Sequence, residues 1–332
     1  MDSLTQAALG AAIGGAIAPT NARRRAIVAG ALLGTLPDLD VFIDFGGAVE
    51  NFTYHRGFSH SLLVLAPFSV LLWLALRRWW EPVKDAPRRW LALISLVLLT
   101  HALLDAHTAY GTQLFWPLDF HPTSWATLFI IDPLYTLPLL FGVIAAAIRP
   151  TANWSGALVR SSVLVSTLYI GWSWVAHGMV KDNIQQPLAE MGLEDAPVFL
   201  TPTPFNTLLW RIVVMTEDGY LEGLDSLIVD EAPVSFDAHV FDKQLLLDAG
   251  DVWAVEQLRW FSNDFLKASI EDDRLVVTDL RMGQHPNYVF SHVVAMRTNP
   301  GWAAMPTELL PTNFDRGALS AIWQRIWSDS SD

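Results

Sequence analysis

The chain has 332 residues, of which 52% are hydrophobic and 17% charged, and its mean hydropathy of +0.31 is too high for an ordinary soluble enzyme. Residues 1–177 carry 11 Lys/Arg against 10 Asp/Glu and residues 178–332 carry 10 against 24, so the net charge of −13 divides into +1 and −14. With no cysteine, disulfides, thiolate catalysis and cysteine-based zinc sites are excluded. The acidic balance argues against nucleic acid as a primary partner, because phosphate neutralisation needs a basic face.

The expected architecture is a mainly α-helical, multi-pass membrane domain over residues 1–178, followed by a small, acidic, soluble α+β domain over 179–332. Apolar runs predict about six helices, near 4–18, 25–43, 60–76, 90–108, 127–148 and 157–177. The first follows Asp2 and is rich in Ala and Gly, so it reads as a retained, tightly packed helix rather than a cleavable signal. Gly10/Gly14 and Gly30/Gly34 have the spacing that lets two helix backbones approach closely. Several runs fall short of the ~20 residues that cross a bilayer unaided. They either tilt through a thinned bilayer or stop partway at a polar cavity.

Basic residues cluster in three loops: Arg23, Arg24 and Arg25; Arg77, Arg78, Lys84, Arg88 and Arg89; Arg149 and Arg160. The positive-inside rule assigns these loops to the cytoplasm. Six crossings that start outside then return the chain to the outside, which makes the acidic domain extracytoplasmic. In that domain Leu208–Met215 and Tyr220–Val229 read as a hairpin turning near Asp218-Gly219. Arg274–Leu280 and Tyr288–Met296 read as a second strand pair, and Val252–Phe261 and Gly317–Trp327 have helical periodicity. Pro202, Pro204, Phe205, Asn206 and Trp210 could pack the domain down as a lid, while Trp172 and Trp174 suit an interfacial belt.

The polar residues of the membrane part gather at the ends of the helices opposite the arginine loops. Asp38 and Asp40 end the second helix, His55 and His60 open the third, and His101 and Asp105 end the fourth at i, i+4 spacing on one face. Buried carboxylates are costly unless paired or coordinated, and Arg56 is the only Lys or Arg at this level. A divalent cation satisfies such a set. Mixed imidazole and carboxylate donors favour zinc, with manganese or iron as alternatives. Asp132, before Pro133, reads equally as a ligand or a helix cap. His107, Asp119 and His121 read as rim residues, and Asp44 and Glu50 as loop charges.

The opening Met1-Asp2-Ser3-Leu4-Thr5-Gln6-Ala7, Thr35–Asp40, His55-Arg56-Gly57-Phe58-Ser59-His60-Ser61, His101–Asp105 and Tyr110-Gly111-Thr112-Gln113 occur in an order that resembles the bacterial family of predicted inner-membrane metal-dependent hydrolases. That family is distantly similar to the zinc-dependent phospholipase C and single-strand nuclease superfamily. The resemblance spans about residues 1–140. It implies metal-ligand roles for Asp38, His55, His60, His101 and Asp105, with Asp40 as a further ligand. The superfamily's additional ligands, an N-terminal Trp among them, have no match in these motifs, which leaves the number of ions open.

The expected function is hydrolysis of a phosphoester or lipid-linked substrate at the outer face of the bacterial cytoplasmic (inner) membrane, with membrane lipids as the partners. Asp40 would act as general base or further ligand, His55 as ligand or proton shuttle, and Arg56 as the group that steadies a substrate oxygen. Two other classes stay open: a metal-stabilised structural or sensing membrane protein without turnover, and a proton or cation channel.

Overall fold

The structure is a computed structural model that describes residues 1–230, 233–312 and 316–328. Helix α1 (Ser3–Ile17) is capped by Asp2, whose carboxylate accepts the Leu4 and Thr5 N–H groups. It packs against α2 (Arg23–Thr35) with the two backbones almost touching. A Cβ added at Gly10 would lie 2.1 Å from the Gly30 carbonyl oxygen, and one at Gly30 would lie 2.0 Å from the Gly10 oxygen. Only glycine fits there.

Helix α2 stops short of the expected 25–43 span. Pro37 has no N–H to continue the ladder, so the chain tightens into a 3₁₀ turn over Pro37–Phe42. Next come α3 (Ala48–Tyr54), α4 (Leu62–Trp79), α5 (Glu81–Asp85) and α6 (Pro87–Ala106). These are followed by α7 (Pro133–Ile148), α8 (Ser155–Asn183) and α9 (Gln185–Glu190). The helix expected from residue 127 begins only at Pro133, because the residue before a proline is pushed out of the helical region. Asp132 is extended and caps α7 through the Leu134 and Tyr135 N–H groups.

Six membrane helices are not supported. Among the described residues, three helices are long and apolar enough to cross a bilayer, Leu62–Trp79, Pro87–Ala106 and the continuous Ser155–Glu190, while Ser3–Ile17 and Pro133–Ile148 are shorter apolar helices. At ~1.5 Å rise per residue, α1 and α2 reach only roughly 20 Å of a ~30 Å hydrocarbon core. Among the spans, α6 is the hub, with Trp90, Leu93, Ile94, Val97 and Leu98 buried. On α4 Leu65 and Ser69 are buried while Leu63, Phe68, Val70, Leu71 and Leu74 are exposed, as a lipid-facing helix requires. Arg24 donates to the Ala147 and Ile148 carbonyls and Arg23 to those of Gly15 and Pro150. These arginines cap free helix ends away from the Asp38–Asp105 level.

The C-terminal region is a β-sheet domain. An antiparallel sheet in the order β1-β2-β3-β4 uses β1 (Val198–Pro202), β2 (Leu209–Thr216), β3 (Gly219–Ser226) and β4 (Phe236–Val240). Helices α10 (Gln244–Asp248) and α11 (Trp253–Ser262) precede β5 (Leu266–Glu271) and β6 (Arg274–Asp279). After a short hairpin of β7 (Gly283–Gln284) and β8 (Asn287–Tyr288) come β9 (Ser291–Arg297) and β10 (Trp302–Leu309), which complete a sheet ordered β10-β9-β6-β5. Helix α12 (Arg316–Arg325) follows. The expected hairpin is β2–β3, with Thr216 opposite Gly219, and the expected second pair is β6–β9.

This domain is welded to the helices at two places. Val49 and Phe52 of α3 share a core with Val255, Leu258 and Phe261 of α11. Ala176 and Val180 of α8 share one with Trp210 and Ile212 of β2. Trp210 therefore packs on a helix, while Pro202 and Pro204 line a cavity between the two regions.

Candidate metal centre

Four of the six residues expected as ligands converge. Asp38 comes from the turn after α2, His60 from the 3₁₀ turn before α4, and His101 and Asp105 from one face of α6. One donor atom from each lies within 4.8 Å of all the others. His60 Nε2 is 3.1 Å from Asp105 Oδ2 and 3.4 Å from Asp38 Oδ1. His101 Nε2 is 3.4 Å from Asp38 Oδ1 and 3.5 Å from Asp105 Oδ2. The two Nε2 atoms are themselves 3.1 Å apart.

The surrounding hydrogen bonds settle what these atoms offer. His101 Nδ1 is 2.7 Å from the Gly34 carbonyl, which can only accept, so the proton sits on Nδ1 and Nε2 carries a lone pair. Ser59 Oγ spends its one proton on Asp40 Oδ2 at 2.5 Å. It therefore accepts from His60 Nδ1 at 2.9 Å, which leaves His60 Nε2 as a lone pair too. With both rings neutral, two imidazole lone pairs and two carboxylate oxygens face one another. The Met1 amino group and Arg56 offset part of the charge at Asp105, and a cation among the four donor atoms would satisfy the rest. The donors fit a divalent metal ion.

Asp40 and His55 lie outside this group of four. Asp40 Oδ1 is 2.8 Å from His55 Nδ1, and Oδ2 accepts the Arg56 N–H at 3.0 Å. His55 is partly open to the cavity beside it. Arg56 holds a left-handed backbone conformation (φ 60), costly for a side chain other than glycine and typical of functional positions. Its Nε is 3.4 Å from Asp105 Oδ2, its Nη1 donates to Thr108 Oγ1 at 3.1 Å, and its guanidinium lies 5.0 Å over the Tyr110 ring. Asp132, besides capping α7, accepts the Tyr169 hydroxyl at 2.9 Å and is no part of the cluster.

Sequence reasoning missed the supporting residues Gln6, Ser59 and the Gly34 carbonyl. Gln6 Nε2 donates to Asp105 Oδ1 at 2.9 Å and to the His101 carbonyl, and the Met1 amino group also contacts Oδ1, so only Oδ2 is left to face the histidines. Gln6 and Ser59 stand inside the motifs quoted above, but nothing in their spacing marks them as partners of these ligands.

A cavity of about 990 Å³ opens beside the centre, between the helices and the β-sheet domain. Asp40, His55 and Arg56 line it on one side, and Arg211, Arg281 and His292 on the other. His292 is stacked with Phe290 and packs at a tilt against Phe52, and burial pushes its pKa down to about 4 against a partial opposing pull from Asp279. An unfolded chain binds a proton at this residue below about pH 6.5, whereas the folded one does so only near pH 4. Stability is therefore expected to fall as pH drops through that window, by roughly 3 kcal/mol. His292→Phe should flatten that part of the profile in thermal melts of detergent-purified protein; an unchanged profile would remove His292 as its source.

The family described as YdjM inner membrane protein matches residues 1–180, ending within α8. The chain is 24% identical over 230 residues to the Bacillus subtilis (strain 168) Uncharacterized protein YfhP, covering 67% of this chain and 68% of that protein. It is 37% identical over 114 residues to the Escherichia coli (strain K12) Inner membrane protein YbcI, covering 34% of this chain and 64% of that protein. No solved structure matches the chain. Neither relative's name states an activity, but the apolar helices and the family agree on an inner-membrane location. With more than half of its length matched, the chain belongs to the YdjM inner membrane protein family.

Proposed function

We propose that this protein is a metal-dependent hydrolase acting on a phosphoester or other lipid-linked group at the outer face of the cytoplasmic membrane. The observation that carries the reading is the pair of imidazole Nε2 atoms 3.1 Å apart, faced by two carboxylates, beside Asp40, His55 and Arg56, which line a cavity large enough for a substrate. Asp38, His60, His101 and Asp105 hold the ion. When bound, a divalent ion, zinc first by this donor set, supplies Lewis acidity that activates water and polarises the scissile group. The His-x-x-x-Asp of α6 also resembles the pattern used at the zinc sites of the zinc-dependent phospholipase C and nuclease superfamily.

The chain's own groups do the rest. Asp40 holds the Nδ1 side of His55, so the Nε2 side is free to take a proton from the attacking water and return it to the leaving group. Arg56, fixed by Asp40, Thr108 and Tyr110, binds an anionic oxygen of the substrate. The arginine-bearing helix ends, away from the centre, face the cytoplasm under the positive-inside rule. That puts the cavity and the acidic domain on the extracytoplasmic side.

The test is hydrolysis of bis(4-nitrophenyl) phosphate by detergent-purified, metal-loaded protein. His55→Ala is expected to lower kcat by about 10²–10⁴ with metal content unchanged, and His101→Ala to lose both. Wild-type turnover in a His101→Ala/Asp105→Ala variant would sink the proposal.

One observation favours a second reading, a structural metal site. His60, His101 and Asp105 are essentially inaccessible, and it is Asp40, His55 and Arg56 that face the cavity. Under this reading the ion ties α2, α4 and α6 together without turnover. Chelation would then lower the melting temperature while no phosphoester is cleaved.

A further inference from the structure

The cavity has a second polar pole, supplied by the β-sheet domain that lies beyond the family match. Arg211 on β2 is 3% exposed. Its Nε pairs with Glu222 and its Nη1 donates to the Leu280 carbonyl at 2.8 Å, but its Nη2 is buried with no partner. His292 on β9 is 1% exposed, and neither of its ring nitrogens has a partner. Both residues line the cavity that reaches Asp40, His55 and Arg56 at its other side. Buried donors without partners are rare in folded proteins and point to a missing hydrogen-bonding group. A neutral imidazole offers one donor and one acceptor, and the Arg211 nitrogen offers donors only. The imidazole thus matches a hydroxyl better than a second phosphate, and the Arg211 nitrogen takes an oxygen acceptor.

Much of the remaining wall is apolar, although Asn51, Thr201, Gln284 and Asn287 also line it. Val41, Phe42, Ile43, Phe129 and Ile130 line it, and Phe42 is 84% exposed at the rim. Leu39, Phe115, Leu118 and Phe120 are also exposed on the neighbouring segments. A water-soluble phosphoester would leave this wall wet, whereas an acyl chain covers it and continues into the bilayer.

We propose that the cavity binds a membrane lipid whose head group carries a phosphodiester and hydroxyls, with the phosphate at Arg56, head-group hydroxyls at Arg211 and at His292, and the acyl chains leaving past Phe42. This names the substrate class for the hydrolase reading and rests on it only in calling the lipid a substrate. Binding itself needs neither metal nor turnover. In the same step Arg211 and His292 become specificity-determining residues, contributed by a domain whose purpose the sequence did not disclose.

The experiment measures binding of acyl-labelled dioleoyl phosphatidylglycerol to the full-length protein in dodecyl maltoside with EDTA present. Competitors are dioleoyl phosphatidic acid, which lacks the head-group hydroxyls, and glycerophosphoglycerol, which lacks the chains. His292→Phe keeps the stacked ring, and Arg211→Lys keeps the charge facing Glu222. Each is expected to weaken phosphatidylglycerol binding about tenfold while leaving phosphatidic acid unaffected. Phe42→Asp, at an exposed position that can tolerate charge, should weaken both lipids. Glycerophosphoglycerol should compete at least a hundredfold less well than the lipid.

Wild-type affinity for phosphatidylglycerol in His292→Phe overturns the proposal even if Arg211→Lys fails to fold, and so does equal competition by glycerophosphoglycerol. Lipid binding with the expected variant pattern but no hydrolysis leaves this inference standing and removes the hydrolase reading. Cleavage of bis(4-nitrophenyl) phosphate without that pattern does the reverse.

Discussion

Wild-type protein purified without chelators is expected to carry at least one equivalent of zinc, manganese or iron, and His101→Ala/Asp105→Ala to carry none. The expectation follows from proton placement rather than from residue type. The Gly34 carbonyl can only accept, and the single Ser59 proton is committed to Asp40, so both imidazoles, when neutral, present lone pairs to each other and to two carboxylates. Removing His101 and Asp105 takes away half of the donors. The outer layer gives a graded control. Ser59→Ala frees His60 Nδ1 and loosens Asp40, and loss of such a supporting bond typically costs 10–100-fold in metal affinity. Asp132→Asn, by contrast, touches only the start of α7 and the Tyr169 hydroxyl. It should leave metal content unchanged while lowering stability by about 1 kcal/mol or less. Elemental analysis of the four proteins side by side checks the whole series. An empty wild type would remove the metal centre and the hydrolase with it.

The cluster of four was legible in sequence because ionisable residues inside apolar segments are rare and have to be accounted for. Asp38, His60, His101 and Asp105 each end or open an apolar run, and the helices deliver them to one level. The difference between these four and the Asp40–His55 pair was not legible. It depends on distances of 2.8 Å and 3.1 Å set by a 3₁₀ turn and a strained Arg56, neither of which has a periodic signature. The helix count failed for a related reason. Apolar character runs on through Leu36-Pro37-Asp38-Leu39 and through Leu128–Ile131, although the proline in the first and the one after the second break the ladder. Hydropathy records who avoids water and is blind to which N–H is missing. In the β-sheet domain, alternation picked out β2, β3, β6 and β9. It missed β1, which ends in Pro202, and β10, whose pairing with β9 shifts register between Ala304 and Glu308. Arg211 and His292 gain their meaning only when β2 is brought against α8 and β9 against α3, contacts no local pattern announces.

Gly10→Leu is expected to cost about 3 kcal/mol, at the upper end of what overpacking does. The obstruction at Gly10 is backbone: the Gly30 carbonyl oxygen stands 2.1 Å from where the Cβ would be, so no rotamer change relieves it. Helices α1 and α2 must separate, and α2 carries the turn that places Asp38. The same substitution should therefore weaken metal binding, although Gly10 is not among the ligands. Gly171→Ala is the matched control. It lies in α8 with nothing within 4 Å of the added Cβ, and replacing a helical glycine there should stabilise by roughly 0.5–1 kcal/mol. Melting temperature and metal content are read on both. A Gly10→Leu protein that melts like wild type and keeps its metal would mean that the α1–α2 contact does not position Asp38. A loss of metal that tracks the loss of stability would mean that close backbone packing, and not the ligands alone, sets the geometry of the centre.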